Sequence, residues 1–286
     1  MKIGFAINTL SSAENRWGDE KYKRLADIGF ESIDFQMANT ESALYDMTES
    51  ELKSLTDKEK KLAAEAGVSI HQAHGPWRWP PRDLTAEDRA ERMEKMKRSI
   101  YIAHLLGCPN WIVHPIMPFG IEDLDTENAA KTWEMNVEFM SELLKTAKEY
   151  DVTICLENMP MPKFSIATPE KILEFVRLMN SNHFKICLDT GHVAVFKNLS
   201  IGEEVRRLGK YIATLHVHDN DGTRDQHQFP YFGKINWQDF VTALRDIGFN
   251  GAFSLETAPP TDLSDSTYEK FLTALKSLAD DIINIK

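Results

Sequence analysis

Along this chain, short apolar runs alternate eight times with longer stretches in which apolar residues recur at spacings of three and four. The short runs are Lys2–Asn8, Ser32–Met37, Ser69–His74, Trp111–His114, Thr153–Asn158, Phe184–Asp189, Ile212–Asp219 and Gly251–Thr257. They are rich in Ile, Val, Phe and Leu with little clean polar alternation, which predicts parallel strands buried on both faces. The longer stretches are Asp19–Ile28, Glu49–Ala66, Ala86–Leu106, Glu127–Tyr150, Pro169–Met179, Ile201–Leu208, Trp237–Ile247 and Ser266–Ile283. Each carries one apolar stripe and predicts an amphipathic helix. Thr85 and Thr168 stand as helix caps before acidic or proline first turns, and Gly29, Gly67, Gly107 and Gly248 close helices before the next strand.

No linker, low-complexity tract or change of composition divides the sequence, so residues 1–286 read as one domain. Eight strand–helix units in a single α/β domain predict a (β/α)8 TIM barrel. A doubly wound sheet is the alternative, but it rarely aims six polar strand tips at one point.

Those six tips carry the chemistry. The third to eighth strands close on His74, His114, Glu157, Asp189, His218 and Glu256, each a residue type that ligates Zn²⁺, Mn²⁺, Co²⁺ or Mg²⁺. In CLDTGH the strand ends on Asp189, turns at Gly191 and presents His192. In LHVHDNDGTRDQH, His216 and His218 lie on one side of a strand. His218 is nearer the tip and is the expected ligand, whereas His216 is expected one layer deeper as a hydrogen-bonded core histidine. Three carboxylates in one barrel mouth are costly to bury without a cation. The alternative is pairing with Arg or Lys, of which the tips offer few. The segment Gly75–Arg82, with Trp77 and Trp79, leaves the third tip, and its aromatics either wall a pocket, contact a partner or pack over the barrel end.

Charge and composition narrow the function. With 33 basic against 44 acidic residues the net charge is −11, which repels a nucleic-acid backbone. No run approaches the length of a membrane span, and no secretory apolar stretch follows Met1. Cys108, Cys155 and Cys187 lack disulfide-framework spacing and fit a reducing, cytoplasmic setting. There is no glycine-rich phosphate cradle and no serine or cysteine nucleophile elbow.

Taken together, HGP at His74, VHP at His114, LEN at Glu157, LDTGH at Asp189–His192, HDND at His218–Asp221 and LE at Glu256 resemble the sugar phosphate isomerase/epimerase superfamily. These are xylose-isomerase-like barrels, which also include AP endonucleases of the endonuclease IV type. The resemblance implies a divalent metal held by Glu157, Asp189, His218 and Glu256. It further implies that Glu157 and Glu256 exchange a proton with a ketose carbon through a cis-enediolate. His192 and Arg224 stand where the ketose 3-epimerases of the group contact substrate oxygens. His74, His114, His192, Asp225 and His227 resemble the further ligands of the endonuclease branch, and otherwise serve as substrate contacts with Trp77. The resemblance departs at Tyr231, Phe232 and Asn236, where small residues and Asp are usual. The expected activity is therefore a metal-dependent isomerase or epimerase of a sugar, sugar phosphate or keto-sugar derivative. An AP-endonuclease-type phosphodiesterase and a keto-sugar lyase are the alternatives. The expected partner is a small carbohydrate, with neither membrane nor nucleic acid, and a homo-oligomer is compatible with every feature above.

Overall fold

A computed structural model describes residues 1–7, 16–81 and 83–286, with the side chains of Ile3, Phe5, Ala6 and Ile7 set aside. Asn8 of the first expected strand and Arg82 of the Trp-rich loop lie outside the described residues. Eight strands form one sheet: β1 (Lys2–Ile7), β2 (Ser32–Gln36), β3 (Ser69–His74), β4 (Asn110–Val113), β5 (Thr153–Glu157), β6 (Phe184–Asp189), β7 (Ile212–His216) and β8 (Ala252–Leu255). Their order is β7-β6-β5-β4-β3-β2-β1-β8, and every pairing is parallel. The two edges meet through Val217, just past β7. Its N–H donates to the Ser254 carbonyl at 2.8 Å, and its carbonyl accepts from the Glu256 N–H at 3.0 Å. All strand tips therefore open to the same end.

The helices are α1 (Lys21–Ile28), α2 (Glu49–Ala66), α3 (Ala86–Leu105), α4 (Asn128–Glu149), α5 (Pro169–Met179), α6 (Thr190–Ala194), α7 (Ile201–Leu208), α8 (Trp237–Asp246) and α9 (Asp265–Ile283). Local chemistry sets their ends. Thr48 and Glu51 close a capping box at the start of α2, and Gly67 ends it in the left-handed conformation that lacks a Cβ penalty. Thr85 and Thr168 cap α3 and α5 as their sequence predicts. Asn236 caps α8, its side chain accepting from the Asp239 N–H, so the amide serves where the resemblance has Asp.

Strand alternation divides the core. Trp111, Ile154 and Ile186 face outward into the large cluster beneath the helices. Their neighbours Ile112, Cys155 and Cys187 form a separate small cluster within the sheet's curl. The three cysteines are buried and free, and burial pushes each thiol well up from its ordinary value. The interior continues with polar side chains, Asp34, Gln72 and Thr214, all fully buried. Burial of such groups requires partners, and those of Asp34 and Gln72 lead directly to the site.

Most elements end within two residues of the sequence reading, and two larger differences bear on the site. β7 ends at His216 rather than Asp219, because the chain past Val217 turns to bond with the loop that follows. The short α6 stands directly on the tip of β6, where Asp189 caps it.

Lys21 on α1 pairs with Glu59 on α2 at 3.0 Å, and both are almost fully buried. Tyr22 donates to the other Glu59 oxygen at 2.6 Å. Lys21→Met leaves Glu59 buried without its cation and is expected to cost about 3–5 kcal/mol, measured by urea denaturation. Lys21→Met/Glu59→Leu is expected to recover most of that loss.

Candidate active site

The tips of β5 and β6 are fixed to one another by a single amide. Asn158 Nδ2 donates to the Asp189 carbonyl at 3.1 Å, and its Oδ1 accepts the Asp189 N–H at 2.9 Å. Asp189 Oδ1 in turn accepts the His192 N–H at 2.6 Å as the cap of α6. This explains why Asn follows Glu157, and the cap fixes the backbone of His192 over the tip of β6. Gly191 lets α6 pass against the His218 ring, into which a Cβ would run. The loop after β7 is held by Asp219, fully buried. Its two oxygens accept from the N–H groups of Asn220, Tyr231 and Ile235 and from the Trp237 indole.

Within this frame the donor atoms of Glu157, Asp189, His216 and Glu256 lie within 4.8 Å of one another. The fourth member is His216; the expected His218 stands beside it, in a donor group with Asp189 and His192. Asp189 pairs with His216 in the strand register, so His216 is level with Asp189. His218 lies two residues further, about 6.6 Å along an extended chain. His216 Nδ1 sits 3.0 Å from Glu157 Oε1 and 3.1 Å from Glu256 Oε2. The expectation that His216 is a buried, hydrogen-bonded histidine holds, and it belongs to the donor cluster as well. His218 Nε2 is 3.0 Å from Asp189 Oδ2, its ring stacks on His227 with centroids 4.1 Å apart, and it faces Asp225.

The remaining expected residues converge on the same mouth. His114 Nε2 donates to Glu157 Oε2 at 3.0 Å, and His74 Nε2 lies 3.3 Å from His114 Nε2. His192 Nε2 and His227 Nε2 approach Asp225 Oδ2 at 3.4 and 3.1 Å. His74, His192 and His227 share one device. Each places Nδ1 against a backbone carbonyl, those of Gly75, Asn158 and Glu256, at 2.7–2.8 Å, which turns Nε2 toward the centre. Trp77 packs edge-on against His114 with centroids 4.4 Å apart. Beneath it Arg92 pairs with Asp83 and donates to the His114 carbonyl, tying the Trp-rich loop to the tip of β4. Arg224 is exposed on the rim. Asp34 and Gln72, below the cluster, and Met159–Met161, on its wall, were not singled out by the sequence reading. An Asp inside the apolar run SIDFQ was the available signal, since a carboxylate within a buried strand must have a partner.

Electrostatics separate the carboxylates. Burial alone would raise Glu157, but His216 and His114 outweigh it and hold the carboxyl well below its ordinary range. Burial raises Glu256, which His216 and His227 offset only in part. Burial works against protonating His192, yet Asp189, Asp225 and Glu157 push it up to about 10. His114 goes the other way, lowered by burial to about 4. Among the described residues no Lys or Arg pairs with Glu157, Asp189 or Glu256; their ion-pair partners are histidines.

A cavity of about 660 Å³ opens over this cluster. Its floor is His74, His114, Glu157, His192 and Glu256, and its rim includes Trp77, Trp79, Met159, Met161 and Arg224. Gly191→Ala forces a Cβ into the His218 ring and is expected to cost about 1–3 kcal/mol of stability, measured by urea denaturation.

The family model described as xylose isomerase-like TIM barrel matches residues 22–277. A D-psicose 3-epimerase of Ruminiclostridium cellulolyticum is 28% identical over 254 residues, covering 85% of this chain and 80% of that protein. An inosose isomerase of Bacillus subtilis is 27% identical over 155 residues, covering 51% of this chain and 54% of that one. Among solved structures, a D-tagatose 3-epimerase-like protein superposes with a TM-score of 0.74 at 25% identity, over 99% of this chain and 98% of its own. The IolI protein, crystallised with a zinc atom, gives a TM-score of 0.74 at 19% identity, over 99% and 98%. No helix among the described residues is long and apolar enough to cross a membrane.

Proposed function

The chain belongs to the xylose isomerase-like TIM barrel family, and on that premise we propose that it is a divalent-metal-dependent epimerase or isomerase of an uncharged ketose or keto-sugar. The observation that carries the reading is the four-donor cluster of Glu157, Asp189, His216 and Glu256, of which Glu157 and Glu256 line the cavity. Relatives that are ketose 3-epimerases support the substrate class. The reading takes the eight strands as a closed barrel and residues 1–286 as one domain in a reducing compartment.

The donor set fits a divalent cation. Three carboxylates and one imidazole suit Mn²⁺, Co²⁺, Mg²⁺ or Zn²⁺, and the cluster is buried with histidines as its ion-pair partners. Bound there, such a cation polarises a ketose carbonyl and acidifies the neighbouring C–H.

The protein supplies the proton traffic. Glu157 and Glu256 have environments that push them apart, the pattern that separates acid and base roles. Glu256, raised by burial but with a side chain 21% exposed toward the cavity, takes the substrate proton. Glu157, held by His114 and His216, stays ionised and acts from the other side of the cluster. Arg224 and His192 orient substrate oxygens. Trp77 covers the site and excludes water.

A phosphorylated substrate fits poorly. Arg224 is the one Arg or Lys among the described lining residues, amid Glu157, Asp225 and Glu256. Phosphate sites ordinarily converge several Arg or Lys donors or a helix N-terminus. A ketose is therefore expected to be turned over at least tenfold more efficiently than its phosphate ester, compared as kcat/KM.

The direct test is exchange of substrate hydrogen in D₂O. Metal-loaded protein is expected to exchange the C–H beside a ketose carbonyl, and Glu157→Gln and Glu256→Gln each to lose about 10²–10⁴-fold of that rate. Full exchange in both variants, or none in the loaded wild type across the ketoses, would overturn the reading.

A second reading has one observation in its favour. Asp225 and His227 with His218, and Asp189 and His192 with His218, form further donor groups. More donors are present than one ion needs, as an AP-endonuclease-type phosphodiesterase would require. The net charge of −11 opposes it. Elemental analysis separates the two: about one ion per chain for the epimerase, two or more for the phosphodiesterase.

A further inference from the structure

We infer that Gln36, at the tip of β2, is a substrate-binding residue whose side-chain amide pairs with a sugar hydroxyl that the donor cluster does not take. The assignment rests on the proposed ketose chemistry, but its geometry belongs to another part of the cavity.

Side chains two apart on a strand point the same way, so Gln36 follows Asp34 toward the interior. Asp34 is fully buried and bonds inside the sheet's curl, to Gln72 and His216. Gln36, nearer the tip, is half-buried and with Ala38 lines the cavity. Backbone bonds hold this wall. Gln36 stands opposite His74 in the β2–β3 register. Beyond it the Met37 N–H donates to the His74 carbonyl at 3.0 Å, and the Trp77 N–H to the Ala38 carbonyl at 2.9 Å. Gln36 and Trp77 thus share one wall. The donor residues come from β5, β6, β7 and the end of β8. With the sheet edges meeting at Val217, β2 stands on the opposite arc.

Spare hydrogen-bonding capacity sets Gln36 apart. Its Nε2 is buried with no hydrogen-bond partner. His114 Nδ1 and Asp225 Oδ1 are also unpartnered, but each of those side chains is held by its second atom, His114 Nε2 on Glu157 and Asp225 Oδ2 on His227. Among the described lining residues, Gln36 alone has a buried unpartnered polar atom and no such tie. A buried amide donor left unpaired is costly, and a bound hydroxyl removes that cost. The amide is neutral and both donates and accepts, so it matches a hydroxyl in either direction. Half a turn about its terminal bond exchanges Nε2 and Oε1, so either atom can meet the ligand. Trp77 beside it offers an apolar face to sugar C–H groups. Amide and indole together fit a polyhydroxylated chain rather than a deoxygenated ketone.

The test uses full-length, metal-loaded protein and Gln36→Met, which keeps the length of the side chain and removes its polar atoms. The probes are the D-ketohexoses and their monodeoxy analogues, followed by hydrogen exchange in D₂O. D-glucitol and galactitol, which have hydroxyls but no carbonyl, report binding without turnover through tryptophan fluorescence. Wild-type protein is expected to exchange at least one monodeoxy analogue about tenfold less efficiently than its parent ketose, in kcat/KM. Gln36→Met is expected to lose about tenfold on the parent, mainly through KM, and to treat that analogue as the wild type does. The two deletions then do not add, as a direct contact requires. Hexitol binding is expected to weaken about tenfold in the same variant.

A folded Gln36→Met within twofold of wild type on the parent ketose, or one that loses the same factor on the parent and on every analogue, overturns the inference and leaves the proposed function standing. Were the wild type to turn over no ketose, the proposed function would fail, and hexitol binding that weakens in Gln36→Met would keep Gln36 as a hydroxyl-binding residue. Neither turnover nor hexitol binding in the wild type overturns both. Gln36→Ala, which only removes atoms, gives the same comparison if Gln36→Met does not fold by circular dichroism.

Discussion

Everything at the strand tips answers to the cost of holding Glu157, Asp189 and Glu256 together away from water. Like charges at such spacing repel strongly in a low-dielectric interior, and the fold surrounds them with imidazoles rather than Lys or Arg. Histidine suits this task because its charge depends on what it faces. The cluster can therefore hold protons or a divalent ion by the same atoms. Glu157 is drawn low by His216 and His114, and His192 is drawn up to about 10 by Asp189, Asp225 and Glu157. These opposed shifts express one local field.

Precision comes from backbone carbonyls and amides as much as from side chains. Three histidines rest Nδ1 on backbone carbonyls at strand tips, so rigid strand ends set their rings. Asn158 bolts β5 to β6, Asp219 gathers the long loop after β7, and Arg92 with Asp83 pins the Trp-rich loop to β4. Sites built on strand ends in this way hold geometry more tightly than sites on free loops. The apolar rim of Trp77, Trp79, Met159 and Met161 then bounds the cavity above the charges.

Much of this was legible in the sequence. Buried parallel strands announce themselves by apolar runs, and six of them ended in ligand-type residues because the fold needs its polar tips in one place. β3, β6, α2, α5 and α7 match their expected bounds residue for residue. Which of His216 and His218 stands level with Asp189 was not legible. Both lie on one side of an extended chain, and only the register with β6 and the early end of β7 show which is level with Asp189. Asp34 was missed for a related reason. Its partners, Gln72 and His216, are 38 and 182 residues away, and no local pattern links them. Position along a strand is a property of the assembled sheet, whereas strand identity is a property of the segment.

The measurement that bears most directly on the proposed metal centre is anomalous X-ray diffraction from crystals soaked in Mn²⁺, collected at the manganese edge. The expected result is a peak bounded by Glu157, Asp189, His216 and Glu256, with His216 contributing Nδ1. A peak held by His218, Asp225 and His227 with the four-donor cluster left empty, or no peak at either place, would contradict it.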